Sequence, residues 1–247
     1  LVGARFDGDN GPQSGSAYIF TRTGTTWTEQ IKLLPADGAS YDSFGWSVAL
    51  EGDTALVGAR YDGDNGPQSG SAYVFKRTGG TWTEQLKLLP SDGSEGDNFG
   101  WSVLLDGDIA LLGAYLDDDN GVDSGSAYLF KRMGNTWTEQ DKLLASDGAQ
   151  SDYFSTAIAL DGDTVLVGAR ADDDFGESSG AAYLFDLIHD GAFSMGSLES
   201  DGLGQPQERP AHAVTLTRPY AMKTTEVTQA QWTALMGNNP SVASACE

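Results

Sequence analysis

Four short acidic runs recur along the chain: Asp7, Asp9 and Asn10; Asp62, Asp64 and Asn65; Asp117, Asp119 and Asn120; and Asp172, Asp173 and Asp174. Alternate aspartates on a glycine-containing turn form the oxygen-rich set that a hard cation such as Ca2+ selects. Asp7, Asp9, Asp62, Asp64, Asp117, Asp119, Asp172 and Asp174 are therefore the candidate metal ligands. The twelve-residue calcium loop also needs an oxygen at its fifth position, where Gly11, Gly66, Gly121 and Gly176 stand instead. A second reading needs no metal: Asp, Asn and Gly close Asx turns and solvate an exposed loop. Both readings stay open on the sequence. Trp27, Trp82 and Trp137, each in "TWTEQ", offer either a stacking surface for a sugar or packing between units. Recurrence at one strand position favours packing. His189 and His212 are isolated, and no Ser, His and acid arrangement or His-rich metal motif is visible.

The loops are positioned by a repeat. Leu1, Leu56, Leu111 and Leu166 head "LVGA", "LVGA", "LLGA" and "LVGA", and residues 1–55 match 56–110 at 42 of 55 positions. A period of this length without insertion indicates stacked or radially arranged supersecondary units. Each unit holds four short apolar or β-branched segments, such as Thr54–Ala59, Gly70–Lys76, Thr81–Leu89 and Phe99–Leu105, separated by Gly, Asp, Asn and Ser. Gly-Asp in "EGDT" and "DGDT" signals tight hairpins. Strands such as "ALVGA" are apolar on both faces, which suits a sheet covered on each side. Four antiparallel strands per 55 residues favour a propeller blade over a β-solenoid coil, which rises one strand at a time.

Composition narrows the partners. Fourteen Lys and Arg stand against 36 Asp and Glu, a net charge of −22, which repels phosphate backbones and anionic headgroups. No nucleic acid is expected, and no apolar run is long enough to insert in a membrane. The single cysteine, Cys246, excludes an internal disulfide. High acidity with few lysines leans towards an extracellular or cell-surface protein. The chain opens inside a strand-like "LVGA" without Met, so an incomplete piece with further blades upstream is expected.

"FGWSVALEGDTALVGARYDGDNG" at 44–66 and "FGWSVLLDGDIALLGA" at 99–114 resemble FG-GAP repeats, the blades of integrin-α-like propellers. The resemblance covers every unit and implies cation loops in this region. Two features depart from the pattern. Ser155 replaces the glycine of Phe-Gly in the last unit, and Arg5, Arg60, Tyr115 and Arg170 follow Gly-Ala where the family has Pro.

After Phe185 the repeat stops and composition shifts. "AVTLT" at 213–217 reads as a strand, and Thr228 with Gln231 forms a capping box for a helix that Gly237 would end. "GAFSMGS" at 191–197, "ERPAHAVTLTRPYAM" at 208–222, "EVTQAQW" at 226–232 and "MGNNPS" at 236–241 resemble the opening of a formylglycine-generating enzyme, or sulfatase-modifying factor, domain. That family has a modified C-type-lectin-like α+β fold. It oxidises a sulfatase cysteine to formylglycine with O2 and a copper ion held by a late cysteine pair. Copper is thus expected only in a complete parent domain, and Cys246, in an early part of the pattern, reads as a disulfide partner for a downstream cysteine.

The expected fold is mainly β: an incomplete β-propeller of four-stranded 55-residue FG-GAP blades over 1–186, then a truncated α+β, C-type-lectin-like segment over 187–247. The expected function is an extracellular or surface binding module for a protein or glycan ligand. The alternative is the targeting part of a parent enzyme that makes formylglycine, this chain itself being inactive.

Overall fold

The computed structural model describes residues 1–174, 176–188, 191–195, 212–216 and 220–223. The chain divides into two compact units, Leu1–Phe185 and Asp186–Glu247. The first unit is a series of antiparallel meanders. β1 (Val2–Ala4), β2 (Ser16–Thr23) and β3 (Thr26–Leu33) form a three-stranded sheet. β4 (Phe44–Glu51), β5 (Thr54–Ala59), β6 (Ser71–Thr78) and β7 (Thr81–Leu88) form the second in that order. β8 (Phe99–Asp106), β9 (Ile109–Ala114), β10 (Ser126–Met133) and β11 (Thr136–Leu143) repeat it. A fourth sheet orders β12 (Phe154–Asp161), β13 (Thr164–Ala169) and β14 (Ala181–Ile188). Two-residue turns link the hairpins, with Gly52 at φ 53° between Glu51 and Thr54, as the Gly-Asp signal anticipates. In the second unit β15 (Gly191–Met195) pairs antiparallel with β16 (His212–Leu216), and β17 is Tyr220–Lys223. The helix expected from Thr228, together with His189 and Cys246, lies outside the described residues.

The sheets are propeller blades. Between sheets, contact concentrates on the first two strands, β4 and β5 on β8, and β8 and β9 on β12, so the blades converge along those strands and spread towards the outer ones. A blade is not one copy of the repeat. It starts at the Phe-Gly of one copy and takes its other three strands from the next. β5 and β9 are buried at every position, and their side chains alternate between neighbours. Ala55 and Val57 pack with Ala17, Ile19 and Leu33 of the first blade, whereas Leu56 packs with Phe99, Leu112 and Phe130 of the third.

The same alternation explains the tryptophans. Trp82 and Trp137 fill the clusters between blades at 6% and 7% exposure, as the packing reading expects. Trp27, on the outer strand of the first blade, is 64% exposed.

The Phe-Gly and Gly-Ala motifs meet across blades. A Cβ on Gly58 of the Gly-Ala strand would lie 2.1 Å from the Gly100 carbonyl oxygen of the following blade, and a Cβ on Gly3 would meet Gly45 in the same way. Gly45 and Gly100 both sit at φ 83°, in the left-handed region where a side chain is strained. The bulges between Phe44 and Ser47 and between Phe99 and Ser102 place them there. Ser155 takes the third such site at φ 70°, and its hydroxyl oxygen is buried without a hydrogen-bond partner. Ser155→Gly is therefore expected to stabilise the chain by about 1 kcal/mol, relieving both the backbone strain and the stranded hydroxyl. A urea titration of the two proteins reads this directly, and a lower midpoint for the glycine variant would contradict it.

Candidate functional site: acidic loops and an arginine–aromatic ridge

Each acidic loop joins the second strand of a blade to the third. Its first aspartate turns inwards: Asp62 and Asp117 are 3% exposed and Asp172 is 2% exposed. One carboxylate oxygen closes the loop on itself, accepting the backbone N–H of Asp64, Asp119 or Asp174 at 3.2 Å. In the first loop Asp7 accepts from Gly8 N–H. The bonds in the last three loops are the Asx turns of the metal-free reading. The other oxygen meets a buried tyrosine from the third strand, as Asp62 Oδ2 does with Tyr73 Oη at 2.7 Å. Tyr18, Tyr128 and Tyr183 make the same bond to Asp7, Asp117 and Asp172. Burial, then the charge of Asp62, pushes the Tyr73 phenol far up, so it acts as a donor throughout the physiological range. The asparagines face elsewhere: Asn10, Asn65 and Asn120 Nδ2 donate to the carbonyl oxygens of Pro35, Pro90 and Ala145.

A lysine from the fourth strand completes three of the four loops. Lys87 Nζ lies 2.7 Å from Asp62, 2.7 Å from Asp64 and 3.1 Å from Asp37. Lys142 Nζ lies 2.9 Å from Asp117, 2.7 Å from Asp119 and 2.8 Å from Asp92. Lys32 pairs with Asp7 and Asp9. Burial would lower the Lys87 ammonium, but hydrogen bonds to Asp62 and Asp64 outweigh it and raise the pKa. In these loops the ammonium stands among the carboxylates that the sequence offers to Ca2+. The fourth loop has no such lysine among the described residues. There Asp174 is raised, first by the charge of Asp172. Among the described residues no group of three or more His, Cys, Asp or Glu is arranged to hold a metal ion.

A second acidic position lies beneath the loops. Asp42, Asp97 and Asp152 precede the Phe-Gly strands and accept the backbone N–H of Ala39, Ser94 and Ala149 at 2.6 Å. Asp97 is 5% exposed, and burial pushes its carboxyl up to about 6. A raised carboxyl favours the folded state below its unfolded value near 4 and loses that contribution as pH rises through about 6. Asp97→Asn is therefore expected to gain about 2 kcal/mol over the parent near pH 7.5 and almost nothing near pH 4. Thermal melts at the two pH values check it, and an equal gain at both would rule out titration of Asp97 as the cause.

The residues that follow Gly-Ala form a ridge with the tryptophans of "FGW". The Arg5 guanidinium lies 4.1 Å from the Trp46 ring centroid and 4.6 Å from that of Phe6. Arg60 lies 3.5 Å from Trp46, 3.9 Å from Tyr61 and 4.7 Å from Trp101. Trp101 stacks on Tyr115 at 4.0 Å, Tyr115 reaches Tyr153 at 5.9 Å, and Arg170 covers Tyr153 at 4.5 Å. The ridge thus crosses all four blades. The sequence reading missed it, although the Arg and Tyr in place of Pro marked its position. It also passed over Lys32, Lys87 and Lys142, which recur with the 55-residue period.

The FG-GAP repeat family model matches residues 27–75, 82–130 and 137–185. The chain belongs to the FG-GAP repeat family. Each match begins at the tryptophan of one blade and ends in the third strand of the next, so it crosses the chain connection between two blades. The sulfatase-modifying factor enzyme 1-like domain matches residues 183–245, as the resemblance of that segment implies. No curated protein matches the chain. Among the described residues, no helix is long and apolar enough to cross a membrane.

Proposed function

We propose that this chain is a binding module of an extracellular or cell-surface protein, in which FG-GAP blades present the arginine–aromatic ridge to a ligand and are followed in sequence by the opening of a sulfatase-modifying factor domain. The ridge carries this reading. Trp, Tyr and Arg are the residues that concentrate binding energy at protein interfaces, and here they form one line across four blades. Peptide and glycan display against the full chain tests it, with folded Trp101→Ala as comparator. Ligands that the parent chain selects and the variant loses support the ridge. Ligands that the variant keeps, or no ligands at all, count against it.

In the first three loops we assign the cation role to lysine. Melts in about 1 mM Ca2+ and in chelator are expected to coincide. A higher melting temperature with Ca2+ that survives Asp172→Asn and Asp174→Asn would return the six aspartates of the first three loops to the calcium reading, and one lost with those substitutions would confine it to the fourth loop.

A second reading, favoured by the match at 183–245, makes the blades the targeting part of an enzyme that oxidises a protein cysteine to formylglycine. A thiolate copper centre needs at least two soft ligands, and this chain holds one cysteine, so its residues do not fit that metal. The reading predicts aldehyde formation in a cysteine-containing sulfatase peptide by the full gene product and none by this chain. Absence of the aldehyde with copper-loaded full product would sink it.

A further inference from the structure

We propose that the ridge is a carboxylate receptor, and that its occupant is a partner protein inserting an acidic loop between Arg5, Arg60 and Arg170. This rests on the binding-module reading and adds the chemistry of the ligand.

Charge pairing is the first argument. The chain carries 36 acidic residues against 14 basic ones, and Lys32, Lys87, Lys142, Arg77 and Arg132 all hold carboxylates. Arg5, Arg60 and Arg170 hold none among the described residues, nor do Arg22 and Lys76; the three are set apart because their neighbours are rings. Burying a guanidinium without a counter-charge is costly, and none of the described residues supplies one to Arg60. Arg60 shows the need most clearly. Its Nε–H is buried without a hydrogen-bond partner among the described residues, and the phenols of Tyr61 and Tyr115 are the hydrogen-bond partners of its guanidinium. Burial, with the nearby Arg5 charge adding to it, lowers the guanidinium pKa. An incoming carboxylate would offset the burial of the charge at the outer guanidinium nitrogens, where the fork matches two carboxylate oxygens.

The rings decide between kinds of ligand. A carboxylated sugar would need an open aromatic face for its ring. The inner faces of the ridge are already covered: Trp46 by Arg5 and Arg60, and Trp101 by Arg60 and Tyr115. Phe6, at the first-blade end, stays 64% exposed; along the rest of the ridge the rings are shared with guanidinium groups, a surface that a peptide carboxylate with a short aliphatic stem fits. A long polyanion such as a nucleic acid is disfavoured by the net charge of −22, whereas the few carboxylates of a single acidic loop add little repulsion.

The test uses the full chain and three probes: acetyl-tetraglutamate-amide, acetyl-tetraglutamine-amide and tetragalacturonate. Binding is read by NMR from the Trp101 indole and the Arg60 Nε–H, with the Trp82 indole, buried between blades, as internal control. The glutamate peptide is expected to shift the ridge signals and leave Trp82 in place, while the glutamine peptide shifts neither. Arg60→Gln should weaken binding about tenfold. Arg170→Gln, at the exposed end of the ridge, should weaken it severalfold and covers the case in which the Arg60 variant fails to fold. Stronger shifts with tetragalacturonate would assign the ridge to a glycan and overturn the proposal. Silence with every probe, or equal shifts with glutamine, would also overturn it. Neither of those results decides the binding-module reading, which fails if display yields no ligands or yields ligands that do not depend on Trp101.

Discussion

Gly100→Ala is expected to lower the melting temperature by about 10 °C, a loss of about 2–5 kcal/mol. Two penalties combine. Gly100 sits at φ 83°, where a Cβ costs about 1–2 kcal/mol. The added methyl would also lie 2.4 Å from the Ser71 carbonyl oxygen and 3.2 Å from the Gly58 Cα. These are backbone atoms, so no rotamer change relieves the clash, and the third blade must move off the second. That opens the cluster joining Leu56, Val74 and Leu88 to Phe99 and Phe130. The control is Gly107→Ala, a turn glycine at φ 57° with open space around its Cβ position, which should show the strain term alone. If both variants melt alike, the contact between blades contributes nothing.

Lys87→Met is the second large effect, expected to destabilise by about 2–3 kcal/mol near neutral pH. The lysine side chain is 14% exposed and faces Asp62, which is 5% exposed, so removing it leaves a buried carboxylate unpaired. Asp64 and Asp37 are half exposed, and water screens their share. The pH dependence identifies the cause. The Lys87 pKa is raised, so its contribution is complete below the unfolded value near 10.5 and is lost as pH rises through the higher folded value. On the acid side, burial opposes ionisation of Asp37, but Tyr73 and Lys87 outweigh it and lower its pKa. That contribution holds above the unfolded value near 4 and disappears as pH falls. The gap between parent and variant should therefore be widest from about pH 5 to 10 and should narrow near pH 3. A gap independent of pH would mean that the lysine acts through its methylene packing. Asp62 would then be satisfied by Tyr73 and the loop backbone alone.

Strands and turns were legible because both rest on local rules. Thr54–Ala59 is the observed strand, and the Gly-Asp pairs make the expected turns. Doubly apolar strands announced a sheet covered on both faces, and Trp82 and Trp137 are where packing logic put them. The blade boundary was less accessible, because the repeat has the same period wherever it is cut. Only the pairing of β4 with β5 shows that Phe44 opens a blade. The loops expose the limit more sharply. Asp62 and Lys87 are 25 positions apart, and no local pattern links a loop aspartate to a lysine two strands later. The ridge depends on neighbours farther off still: Arg60 reaches Trp101 only because one blade lies on the next. Ring stacking of this kind leaves no spacing rule in one dimension, although the 55-residue recurrence of Trp46 and Trp101 was visible.

The offset between blade and repeat bears on how such an array lengthens. Each blade draws its first strand from one copy and the rest from the next, and the glycine contact between blades recurs with the same 55-residue step. A duplication or deletion of any 55 consecutive residues within the repeat, whatever its breakpoints, therefore returns whole blades with the same junctions. Lengthening such an array needs no special boundary, and the 42 matches in 55 positions between residues 1–55 and 56–110 keep one register throughout.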